Sequence, residues 1–183
     1  KKEPQKPRDA FSQDEIKTMM ADLPEDKIGW SIRLMLFTGM REGELLGLEP
    51  RHIAEDGSWI KIEQAAVKVK GTMEIGPPKT EQSYRTIPVP ELVRYCARNL
   101  RDTDKTFIWE SPKKPGYPCS DSHFRAQYNK AMQQLDGVRI LIPYCCRHTC
   151  ISHLVALGVD PITIISMVGH VDKKMLEKVY GHP

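Results

Sequence analysis

"TGMREGELLGL", residues 38–48, joins a break to a short amphipathic segment. Gly39 is suited to end a helix arriving from the N-terminal side, since glycine adopts the left-handed backbone that closes helices. Arg41 then stands at the mouth of a new short helix, with Glu44 three residues on and Leu45, Leu46 and Leu48 supplying an apolar side. Taken alone, Arg41 and Glu44 read as a surface ion pair worth less than about 1 kcal/mol. The rest of the chain changes that reading.

Upstream, residues 1–10 are polar, basic and proline-bearing, and read as a linker or N-terminal arm. A helix opens at "SQDE", where Ser12 and Glu15 have the spacing of a capping box. A second helix is expected over about residues 25–37, with Ile28, Ile32, Met35 and Leu36 at helical spacing. Downstream, "WIKIEQ", "AAVKVKGTMEI" and "SYRTIPVP" alternate apolar and polar residues between turn-formers, which predicts a small three-stranded antiparallel sheet. Helical patterns return in "ELVRYCARNL", "SHFRAQYNKAMQQL", from Tyr144, in "DPITIISMVGH" and in "DKKMLEKVY". The expectation is a mostly α-helical α+β chain with the sheet inserted among helices.

Composition narrows the function classes. The 183 residues carry 40% hydrophobic and 28% charged residues, as ordinary globular chains do. No apolar run is long enough to cross a membrane, and the charged N-terminus lacks the apolar core of a signal peptide. A cytoplasmic location is expected. The net charge of +3 is compatible with nucleic acid without requiring it. "GTMEIG" imitates the start of a phosphate-binding loop, but Pro77 and Pro78 stand where Gly-Lys belongs and donate no N–H, which argues against nucleotide hydrolysis.

With these segments in order, the chain resembles the catalytic domain of the tyrosine recombinase (phage integrase) family. "TGMREGELLGL" is similar to the family's first arginine box, TG-x-R-x-x-E-L-x-x-L, which carries Arg41 and Glu44. "PPKTEQSYRTIPVP" resembles the hairpin bearing an active-site lysine and maps that role to Lys79, with Lys68 and Lys70 as competing lysines. "YCCRHT" resembles the second arginine box, His-x-x-Arg-His-Thr, and gives Arg147 and His148. "MVGH" resembles Leu-Gly-His and gives His170, and "VYGHP" supplies Tyr180 ten residues later. The resemblance covers residues 11–183 as a catalytic domain and implies core-binding and arm-binding domains outside this chain.

The resemblance also implies a chemistry. A tyrosine oxygen, here of Tyr180, attacks a phosphodiester of double-stranded DNA, giving a 3′-phosphotyrosine and a 5′-hydroxyl. Two guanidiniums, Arg41 and Arg147, suit the charge that builds on the phosphate oxygens, because their planar forks make paired hydrogen bonds. His170 adds a donor. Lys79 fits the acid that protonates the departing 5′-oxygen. The phosphotyrosine conserves bond energy, so neither cofactor nor metal is implied. Strand exchange by a tetramer on DNA is expected, and the chain alone is compatible with a monomer. A type IB topoisomerase-like activity and a DNA-binding module with lapsed catalysis remain the alternatives.

"PYCCRHTCISH", residues 143–153, offers a rival. Cys146, Cys150 and His153 fall on one helical face and Tyr144, Arg147 and His148 on another. A structural zinc takes four ligands, commonly including a Cys-x-x-Cys pair, and the segment has none. The cysteines read as small apolar residues. Tyr144 is the departure from the family pattern, standing where relatives carry histidine. A neutral tyrosine donates a hydrogen bond but is a poor base near pH 7.

Overall fold

Helix α1 (Gln13–Asp22) starts where its cap dictates: Ser12 Oγ accepts from the Glu15 N–H at 3.2 Å, and Glu15 returns a carboxylate oxygen to the Ser12 N–H at 2.7 Å. The computed structural model describes residues 9–78 and 83–169. Helix α2 (Lys27–Thr38) is capped by Asp26, whose carboxylate accepts from the N–H groups of Ile28 and Gly29. Its apolar stripe is part of a helix buried on nearly every side, packed against α4 (Arg94–Arg101), α5 (Asp121–Gln133) and α6 (Tyr144–Ala156). Arg33 of α2 is 0% exposed, yet its guanidinium closes the end of α1 by donating to the carbonyls of Met20, Leu23 and Pro24 and by pairing with Glu25. A buried cation persists because each donor finds an acceptor.

The core runs from α1 through α2 to α5 and the start of α6, with Ile32, Leu34, Met35, Leu45, Phe124, Tyr128 and Met132 at its centre. Trp109 adds an edge-on contact to Phe124 at 5.0 Å and hydrogen-bonds Ser31. A second small cluster, Ile151, Ile164 and Val168, joins α6 to α7 (Pro161–Val168).

The strands depart from expectation. Among the described residues there are two separate two-stranded antiparallel ladders in place of one three-stranded sheet. β1 (Trp59–Ile62) pairs with β4 (Arg85–Pro88), so that Ile60 faces Ile87 and Ile62 faces Arg85. β2 (Ala65–Val69) pairs with β3 (Thr72–Gly76) across a two-residue Lys70–Gly71 turn, where both residues have positive φ. The cause lies between β1 and β2. Gln64 donates to the Gly47 carbonyl and to Glu49, which turns the chain toward the helices and directs β2 along α3 (Glu42–Leu46). Ala66 of β2 and Met73 of β3 join the core, while Val67, Val69 and Ile75 on the rest of the hairpin are exposed.

The segment before α1 is tied down. The Phe11 N–H donates to Thr149 Oγ1 on α6 at 2.9 Å. Arg139, on the loop before α6, grips Glu15 and Asp9 and donates to the Ala10 carbonyl. The Arg139 hydrogen bond first, with the Ser12 N–H and the Arg139 charge behind it, outweighs partial burial and holds the Glu15 carboxyl down at about 2.

Two stability outcomes follow. Gly39 sits at φ +63°, and a Cβ there lies 2.8 Å from Val168 Cγ1. Gly39→Ala is expected to cost about 1–2 kcal/mol for the backbone alone, plus the clash, measured by urea unfolding. Because the Glu15 pKa is lowered on folding, its contribution is full above the unfolded value of 4.5 and fades as pH falls toward about 2. Glu15→Gln should lower stability at pH 7 by about 1–2 kcal/mol, allowing for screening at half-exposed Arg139, and the deficit should shrink between pH 5 and 2 in parallel urea melts.

Candidate active site

Arg41 precedes the first residue of α3 in extended conformation, so its side chain leaves the helix at the N-terminal mouth. Glu44 reaches back to it twice: its Oε2 accepts from the Arg41 backbone N–H and its Oε1 from Arg41 Nη1, both at 2.8 Å. This is no surface pair, because the Glu44 side chain is 3% exposed and that of Arg41 27%. Burial pushes the Glu44 carboxyl up, but hydrogen bonds and charge from Arg85, and then from Arg41, overcome that and hold it below the ordinary carboxylate range.

Arg85 is the residue that sequence reasoning missed. From β4 it meets Glu44 with a parallel fork, Nη1 to Oε1 and Nη2 to Oε2, each at 2.9 Å. Its Nε donates to the Met167 carbonyl in the last turn of α7 at 2.8 Å, and Nη1 also donates to the Ser83 carbonyl. The signal was present in "RTIPV": Arg85, Ile87 and Val89 share one face of a strand, and the other two are core residues. An arginine on the apolar face of a strand requires an acceptor inside.

Arg147 enters from α6. It is 1% exposed, and its Nη1 donates to the carbonyls of Gly39, at 2.7 Å, and Val168. These two acceptors are the helix-ending residue before Arg41 and the last residue of α7, so Arg147 pins together the segments that hold the other groups. Burial first, then the neighbouring positive charge of Arg41, pushes its pKa down to about 10, which leaves it charged at neutral pH. Gly169, which ends α7 at φ +78°, closes the arrangement. A Cβ there meets Arg85 Nη1 at 3.2 Å and Arg41 Nη1 at 3.4 Å.

Tyr144 is the first residue of α6 and is half-buried, one turn before Arg147. His148 is half-buried on the same helix. Lys79, His170 and Tyr180 lie outside the described residues. The structure therefore brings Arg41, Glu44, Arg147 and Tyr144 into one neighbourhood and adds Arg85. Chemically this is a concentrated positive field whose acidic member is buried and saturated, which suits a doubly bonded anion such as a phosphodiester.

Both of the faces expected for α6 are covered. Arg147 is buried together with Cys145, Cys146 and Cys150, because α2 packs along one side of α6 and α7 along another. The five cysteines are free thiols, and burial pushes Cys146 and Cys150 up to about 12, so they are protonated packing residues. Among the described residues no three His, Cys, Asp or Glu side chains gather as metal ligands.

Comparison with known proteins agrees with this architecture. The sequence pattern of the phage integrase family matches residues 10–183. The chain is 25% identical to a XerC-like tyrosine recombinase of Caldanaerobacter subterraneus subsp. tengcongensis, covering 95% of this chain and 50% of the relative. It is 28% identical to the prophage integrase IntR of Escherichia coli K12, covering 90% and 46%. The chain thus spans about half the length of the curated relatives it matches. Its fold is similar to that of the Tn1549 transposon integrase solved with transposon right end DNA, with a TM-score of 0.80 at 20% identity over 100% of this chain and 64% of that one. The XerA recombinase gives 0.69 at 20% identity over 99% and 62%. Matched from residue 10 to residue 183, the chain belongs to the phage integrase family.

Proposed function

We propose that residues 11–183 are the catalytic domain of a site-specific DNA recombinase that acts in the cytoplasm on double-stranded DNA. The observation that carries the reading is the convergence of Arg41 and Arg147 at one point, the first oriented by Glu44 and the second by two backbone carbonyls. Two preset guanidiniums are what a phosphoryl-transfer site needs, since charge grows on the non-bridging oxygens as the bond order changes. Tyr180 supplies the nucleophilic oxygen. Its bond to phosphorus forms as the bond to the 5′-oxygen breaks, and that oxygen takes a proton from Lys79. The tyrosine proton passes to a neighbouring base or to water. His170 and Tyr144 donate further hydrogen bonds to the phosphate, and His148 braces α6. Attack by the 5′-hydroxyl of a partner strand reverses the step, so strand exchange, by protomers assembled as a tetramer on DNA, needs neither ATP nor metal.

The direct test is a nicked suicide duplex bearing the protein's own recombination site. A covalent protein–DNA adduct is expected with the wild type and lost in Tyr180→Phe on denaturing gels. DNA binding without adduct in the wild type overturns the reading in favour of a binding module. Rejoining to a second duplex, rather than relaxation of supercoils alone, separates recombination from topoisomerase action.

Tyr144 has its own signature. Acting as a donor to phosphate, it should make Tyr144→Phe cleave about tenfold more slowly, the loss of one charge-assisted hydrogen bond. Tyr144→His should keep most of the rate, because imidazole also donates. An unchanged single-turnover rate in Tyr144→Phe removes this residue from the site.

A further inference from the structure

Arg85 is buried beside the candidate site, and the mechanism so far leaves it unused. Its side chain is 4% exposed, and its donors are turned toward protein acceptors on three sides: the Glu44 carboxylate, the Met167 carbonyl and the Ser83 carbonyl. So placed, it does not reach a DNA phosphate itself. We propose that Arg85 is a positioning residue for strand cleavage, fixing Arg41 through the shared Glu44 carboxylate and fixing the end of α7 through Met167. The inference rests on the recombinase reading.

The geometry gives the reason. A carboxylate offers about four acceptor directions, and at Glu44 four donors fill them. Oε1 takes Arg41 Nη1 and Arg85 Nη1; Oε2 takes Arg85 Nη2 and the Arg41 N–H. Arg41 holds Oε1 through Nη1. The Arg85 fork sets the carboxylate plane, and the plane sets where Arg41 Nη1 must lie. The third contact, Nε to Met167, joins this unit to the turn where Val168 accepts from Arg147 and Gly169 packs against both guanidiniums. One planar group therefore registers β4, α3 and α7 to one another. Lysine, a point charge with no fork, cannot make these contacts together.

Among the described residues, the charged groups facing Glu44 are Arg41 beside its own helix, Arg85 from β4 and Arg147 from α6. Removing Arg85 takes away the fork that most strongly opposes burial. The Glu44 carboxyl should then titrate at higher pH, and protonation would release Arg41.

The experiment uses the suicide duplex with the intact protein and variants R85Q, R85K, E44Q and R85Q/E44Q. It reads single-turnover cleavage at saturating protein from pH 5 to 9, with DNA affinity measured separately. R85Q should cleave about 100-fold more slowly, the scale of a misplaced catalytic group, with DNA affinity within about threefold of wild type. Its acid limb should move to higher pH. R85K should keep the wild-type acid limb yet cleave about tenfold more slowly, since charge returns without the fork. The double variant should be no slower than about threefold below the worse single variant, because both changes break one unit. A wild-type rate and acid limb in R85Q overturn the proposal, as does a deficit that multiplies in the double variant. A loss of DNA affinity matching the loss of rate also overturns it. Should thermal melting show R85Q unfolded, R85K decides: reduced cleavage with intact binding supports the proposal, and wild-type cleavage sinks it. Absence of any wild-type adduct is a different outcome, which removes the recombinase reading itself.

Discussion

Glu44 is an ionised carboxylate almost wholly removed from water, and the surrounding structure is arranged so that it can stay ionised. Burial of such a group costs several kcal/mol unless charge and hydrogen bonds compensate. Here the compensation comes from two arginines on different elements and from a backbone N–H at a helix mouth. The requirement is mutual. Arg85 lies on the inward face of a strand and needs an anion there, while Arg41 needs an anchor to hold one orientation. Each group is tolerable in that setting because the others are present.

The same logic recurs with backbone carbonyls as the main acceptors, joined at Arg33 by the Glu25 carboxylate. Arg147 and Arg33 are both buried, and both end on carbonyls freed at helix termini, which carry the negative end of the helix dipole. Arg33 closes α1. Arg147 closes α2 and α7 together, so the satisfaction of two helix ends also places a cation beside Arg41. Structure and site are hard to separate because the same hydrogen bonds serve both.

Much of this was legible in the sequence. The cap at Ser12, the helix end at Gly39 and the short helix after Arg41 are local features, encoded by residues within four positions of one another. The arginine boxes and their order gave the fold class, which the match to the phage integrase family bears out. The pairing of strands was not legible, because β1 skips its neighbour in sequence for β4, and that choice depends on Gln64 bonding Gly47 and Glu49 across the turn. Nor was the depth at which Arg147 lies, since periodicity describes one face of a helix and α6 is covered on more than one. Arg85 fell between these cases: its strand was recognised, but an arginine on the inward face needs a partner that only the tertiary fold supplies.

The anchoring of the segment before α1 has a mechanical consequence. Phe11 is bonded to Thr149, and Thr149 lies two residues from Arg147 on α6. Arg139 holds Asp9 and Ala10 to the loop that feeds the same helix. A force applied to the chain at Asp9 is therefore shared between α6 with its approach and, through the Arg139–Glu15 pair, the first turn of α1. The entry of the chain and the buried guanidinium share a lever arm less than one helical turn long.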